Sequence, residues 1–167
     1  MNMRSKACDE YISNRAWFRD VVGGKNLILC GTSALEFLEL FDGYAGEDEI
    51  DVYALSDGIY DNIHYHLIDA FEKIDYVKYG NVLCATFNQT LNDMLSDENA
   101  DIQALSEALS NYFYTNGESF DGLQINQKNI KRFEFRKECA VAYYTGRNKT
   151  ISVMICTPFL ITIRTFL

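Results

Sequence analysis

The chain has one proline, Pro158, in 167 residues. It has no low-complexity linker and no internal repeat, so neither a multi-domain string nor a solenoid is expected. Only two histidines are present, and five cysteines lie at positions 8, 30, 84, 139 and 156. The cysteines form no CxxC pair and have no histidine at ligand spacing, so no zinc site is expected from them. No GxSxG, GxGxxG or P-loop pattern occurs, and neither histidine lies in a recognisable triad context; a Cys–His pair that meets only in space stays open. Cys30 and Cys84 lie inside apolar runs and read as buried, reduced thiols. That usage fits a reducing cytoplasm. Met1–Asp20 has no apolar run followed by a cleavage site, so no signal peptide is expected.

Basic residues are also scarce. Residues 1–138 hold 12 bases against 24 acids, and residues 139–167 hold Arg147, Lys149 and Arg164 with no acid. Binding to a phosphate backbone needs Lys and Arg that displace counterions, so direct nucleic-acid binding is not expected. A winged helix is not expected within Met1–Gly24, which reads as one short helix. An acidic body suits solubility, or a basic protein partner. Aromatic residues, 11 Tyr and 11 Phe among them, supply a real core and exclude disorder.

The pattern along the chain predicts α/β (α+β) architecture: a mixed sheet of about five short strands, with helices mainly from the C-terminal half. A helix over 6–20 is broken by Gly23-Gly24. Asn26–Cys30 is a compact apolar strand. Thr32 or Ser33 can cap a helix over Ala34–Leu40, whose Leu35, Leu38 and Phe41 share one side. After a 43–48 loop, Glu49–Leu55 alternates as a half-buried strand. A right-handed crossover would set it parallel to the first strand. Asn62–Leu67 predicts a strand with Ile63, Tyr65 and Leu67 on one face and His64 and His66 on the other. Asp75–Tyr79 and Val82–Thr86 flank Gly80-Asn81 as a hairpin. Helices follow at 88–95 and 101–114, the latter capped by Asp101 and ended by Asn116-Gly117. Asn126 can cap a last helix that carries Ile130, Phe133, Ala140, Val141 and Tyr144 and stops at Gly146. Residues 1–146 are thus read as a single domain. Residues 147–167 are an apolar end with Pro158 and Arg164, marginal in length for a membrane span. Two short strands or a tail are expected there, and a homodimer formed through those strands is one reading of the protein.

Two groups invite a chemical reading. Gly31-Thr32 at a helix start, followed by Glu49 and Asp51 on a strand, is the layout that nucleotidyltransferases use. There, amides at the helix start face a triphosphate and two carboxylates at i and i+2 hold Mg²⁺. The first carboxylate here is Glu, no third acid stands out on a later strand, and no basic cluster waits for phosphates. Glu49 and Asp51 on the solvent face of an amphipathic strand is the simpler expectation. His64 and His66 share a strand face that can bind zinc, but a third ligand is needed and none stands at a telling spacing. They read as surface histidines.

Two stretches carry a family resemblance. LCGTSALEFLEL (29–40) resembles the Gly-x-Ser-Ala-Leu helix start of AbiEi-type antitoxins of type IV toxin–antitoxin systems, through Gly31, Ser33, Ala34 and Leu35. VKYGNVLCATFNQTLNDML (77–95) resembles that family's hairpin, its Thr and the helix after it, through Thr86, Thr90 and Asp93. DIQALSEALSNYF, which follows, fits the family's order of elements. The likeness covers about residues 27–115. It implies the family's C-terminal antitoxin domain without the N-terminal winged helix, a non-enzymatic domain of bacterial defence that counters a nucleotidyltransferase-type toxin; no catalytic residue, metal or cofactor is expected. The family's Arg before the second Thr is Gln89 here. The resemblance gives Thr90 and Asp93 a structural role.

Overall fold

A computed structural model of the chain describes residues 14–43 and 49–147. Five helices and a mixed five-stranded sheet make up the described fold. The stretches expected at 6–13, 44–48 and 148–167 lie outside the described residues.

The first helix, α1, is Asn14–Val22. Phe18 and Val22, one turn apart, bury against the sheet, and Gly24 leaves the helix at φ 73°. Strand β1 is only Ile28–Leu29, both fully buried. Helix α2, Gly31–Phe37, begins three residues before the predicted start. Its N-cap is Cys30, which makes no side-chain cap bond. Thr32 and Ser33 therefore lie inside the helix and do not cap it. Their hydroxyls turn instead to the next strand, β2 (Ile50–Ala54).

β2 runs antiparallel to β1, with Ile28 opposite Tyr53 and Leu29 opposite Val52. This corrects the expected parallel crossover. The Cys30 N–H donates to the Asp51 carbonyl at 3.0 Å, and the Asp51 N–H donates to Ser33 Oγ at 2.9 Å. β2 thus enters beside the start of α2 and runs back along β1. The handedness rule concerns crossovers between parallel strands, so it does not apply to this antiparallel pair.

β3 is Ile63–Leu67, parallel to β2. β4 (Tyr76–Tyr79) and β5 (Val82–Ala85) form the expected hairpin around Gly80-Asn81, with Gly80 at φ 63°. β5 lies parallel to β1, which gives the order β3-β2-β1-β5-β4. Helix α3 is Phe87–Ser96, capped by the Thr86 hydroxyl accepting from the Gln89 N–H. Helix α4 is Ile102–Thr115, capped by Asp101 as expected, and Gly117 follows it at φ 67°. A single 3₁₀ turn, Gln127–Asn129, leads into α5, Ile130–Arg147. Asn126 precedes that turn but makes no side-chain cap bond. The last described residue of the helix is Arg147, one residue past the expected stop at Gly146.

The core has two parts that meet at α2. Ala34 and Phe37 pack with Phe18, Leu29, Val52 and Val82 against the sheet. Leu35 packs with Leu91, Leu105, Leu109 and Phe133 among α3, α4 and α5. Helix α2 buries Ser33 through Phe37 without interruption, which is why the run Ser-Ala-Leu there uses small and aliphatic side chains. On α5 the expected stripe is only partly inward: Phe133 and Ala140 are buried, but Ile130 and Val141 are exposed. Leu67 on β3 is also exposed. Among the described residues no helix is long and apolar enough to cross a membrane.

Candidate functional site

The site forms where β1 gives way to α2. Gly31 takes φ 52°, and a Cβ there would sit 3.3 Å from Asp51 Oδ2. Both the left-handed backbone and the close approach of the carboxylate favour glycine. The next hydroxyl, Thr32 Oγ1, donates to Asp51 Oδ2 at 3.1 Å. Asp51 is therefore held through its side chain by Thr32, through its N–H by Ser33, and through its carbonyl by Cys30.

The parallel register of β2 and β3 puts His64 opposite Asp51 and His66 opposite Tyr53. His66 Nε2 lies 3.0 Å from Asp51 Oδ1, and His64 Nδ1 lies 3.6 Å from the same oxygen. Glu49 stands just before β2, with its Oε2 3.8 Å from His64 Nε2. Of the two carboxylates named from the sequence, Asp51 is at the centre of the cluster and Glu49 is at its exposed rim. The histidines are indeed half-exposed, but they are not isolated surface groups: both face Asp51.

Burial pushes the Asp51 carboxyl up, yet the hydrogen bonds from His66 and Thr32, with the two imidazole charges, outweigh it and hold it below its ordinary 3.8. The hydrogen bond to Asp51 raises His66 above its ordinary 6.5; partial burial opposes this, and the charges of Asp51 and Asp97 add to it. The sign for stability follows. A raised His66 stabilises the fold below 6.5, and that gain is lost as pH rises through its folded value. A lowered Asp51 stabilises the fold above 3.8, and that gain is lost as pH falls through its folded value. Urea unfolding with a metal chelator present should show wild type more stable than His66→Gln near pH 5.5, with the gap narrowing by about pH 8. A gap that widens with pH would contradict this assignment.

A second chain of polar contacts adjoins the first. Tyr53, two residues beyond Asp51 on the same strand face, donates its O–H to Asp93 Oδ2 at 2.7 Å. Gln89 Nε2 donates to the same oxygen at 2.8 Å, and Gln89 Oε1 accepts from the Asp75 N–H. Thr86 Oγ1 donates to Asp75 Oδ2 at 2.8 Å. Burial, then the bond to Asp93, raises the Tyr53 phenol, so it stays protonated as the donor. The Tyr53 and His66 rings meet edge to face at 6.2 Å, which joins the two chains. Thr90 is buried, and its hydroxyl has no hydrogen-bond partner among the described residues; it packs.

The sequence named Gly31, Thr32, Ser33, Asp51, Thr86 and Asp93, and the fold gathers them along β2 and the helix starts beside it. Ala34 and Leu35 belong to the two cores. Tyr53 and Asp75 were not singled out, and Gln89 was noted only as standing where the family has Arg. Tyr53 had a signal, its i+2 position from Asp51. Asp75 had none, since its partners are reached only through the fold. Burial raises the Cys30 thiol well above its ordinary range, with Asp51 and Asp93 adding to it, and pushes Cys84 up to about 12. Both thiols are therefore held protonated, which does not suit a nucleophile.

The chain matches no family model, no curated protein and no solved structure.

Proposed function

We propose that this chain is a non-enzymatic, antitoxin-like cytoplasmic domain whose partner is a nucleotidyltransferase-type toxin, in the manner of the AbiEi-type antitoxins it resembles. One observation carries the reading. The two stretches that hold the resemblance, 29–40 and 77–95, are linked through a single strand. Ser33 binds the Asp51 N–H, and Tyr53 on the same strand binds Asp93. The resembling residues therefore act as one structural unit. Asp51 on the linking strand is engaged by Thr32 and His66, and Asp93 by Tyr53 and Gln89. Such a unit presents a fixed surface to a protein partner. The test is growth of cells expressing a nucleotidyltransferase-type toxin of the kind that AbiEi-type antitoxins counter. Co-expression of the chain should restore growth. Persistent arrest at matched protein levels, with a folded chain, would refute the proposal.

A second reading has its own observation. Gly31 at a helix start lies against Asp51, as the nucleotidyltransferase layout requires, with Glu49 at i−2 and Mg²⁺ as the implied cofactor. The reading as a homodimer formed through the C-terminal strands concerns residues outside those described.

A further inference from the structure

We propose that Asp51, His64 and His66 form a binding site for a divalent transition-metal ion of the zinc type. Two imidazoles at i and i+2 on one strand face supply two nitrogen ligands, and the strand pairing supplies the third ligand from a neighbouring strand. Nitrogen and carboxylate ligands bind zinc at about 2.0–2.2 Å, so two donors on a tetrahedral ion stand about 3.4 Å apart. The separations from Asp51 Oδ1, 3.0 Å to His66 Nε2 and 3.6 Å to His64 Nδ1, fall on either side of that value.

Asp51 has the support that a metal ligand needs. Thr32 donates to its Oδ2, so Oδ1 is the oxygen directed at the imidazoles. Its backbone is fixed at both ends by Ser33 and Cys30. Outer hydrogen bonds of this kind orient a ligand and raise its affinity for metal. With the side chains as they stand, no three His, Cys, Asp or Glu groups among the described residues are placed to hold an ion. Binding therefore requires the imidazoles to reorient. His64 is 51% exposed and His66 53%, and exposed side chains change rotamer on fast timescales. The proton shared by His66 and Asp51 leaves when the ion enters between them. Water completes the shell, and Glu49, beside His64 Nε2, can accept that nitrogen's proton and orient the ring. Two imidazoles select zinc, nickel or copper over magnesium or calcium. The ion would clasp the β2–β3 edge, and this inference does not depend on the antitoxin reading.

Calorimetric titration of the full chain with zinc chloride tests it, with cobalt absorption as the spectroscopic check. One ion per chain is expected. His64→Ala and His66→Ala should each weaken binding by about tenfold or more, and Asp51→Asn by a similar factor. Both histidines are exposed, so their variants fold even if Asp51→Asn does not. Three results would each overturn the proposal: no saturable zinc binding, unchanged affinity in the double histidine variant, or full affinity in a folded Asp51→Asn protein. A cobalt spectrum dominated by thiolate charge transfer would do the same, because it would move the site to the cysteines.

Discussion

Leu105→Ala should lower the thermal unfolding midpoint by about 10 °C. Leu105 is fully buried at the centre of the helical core, on α4, with neighbours from α2, α3 and α5. Removing its side chain loses transfer free energy and leaves a cavity that rigid helices cannot close, a cost of about 3–4 kcal/mol. For a domain of this size, about 2–4 °C is lost per kcal/mol. The consequence reaches the site, because α3 carries Asp93 on the same packing. Differential scanning calorimetry of the variant checks the shift, and a change below about 3 °C would show that the two-part core is wrongly drawn.

Asn92→Ala should be nearly as damaging, at about 2–4 kcal/mol. Asn92 lies on α3 and holds the connection between α4 and α5. Its Nδ2 donates to the Asn88 and Gln124 carbonyls, at 2.8 and 2.7 Å, and its Oδ1 accepts from the Asn126 N–H at 2.8 Å. Buried Asn129 completes the set by donating to the Asn92 carbonyl and accepting from the Ser96 hydroxyl. Truncation leaves the Gln124 carbonyl and the Asn126 amide without these partners, and unmet polar groups cost more than a made bond gains. Chemical denaturation should show the loss, and protease cleavage within residues 117–126 should speed up. An unaffected cleavage rate would mean that Asn92 does not hold this segment.

Why some of this was legible in the sequence and some was not has a physical basis. The α4 stripe, its Asp101 cap, the Gly80-Asn81 hairpin and the Thr86 start all depend on neighbours within four residues. The direction of β2 does not. It is set by Ser33 and Cys30 binding a residue about 20 positions on, and a parallel crossover was equally compatible with the local pattern. The side-chain bonds of Thr32 and Ser33 explain the misplaced start of α2. Thr32 and Ser33 have the chemistry of caps, but Asp51 offered them better partners. Asn126 has cap chemistry too, yet the turn before α5 is fixed by Asn92 and Asn129 on opposite elements. His64 and His66 were visible as a pair. What they face was hidden, because Asp51 is 13 positions away and is brought opposite by the β2–β3 register. The polar continuity from Asp51 to Asp93 is likewise a property of the sheet and helix packing.

The central claim is that the corner formed by Gly31, Thr32 and Asp51 is an internally bonded structural unit and not a nucleotide site. Calorimetric titration with each of the four nucleoside triphosphates and Mg²⁺ tests it most directly, with Mg²⁺ alone as the reference. The account predicts no saturable heat from any nucleotide. Saturable heat that disappears in a folded Asp51→Asn protein would contradict it and make the nucleotidyltransferase reading the correct one.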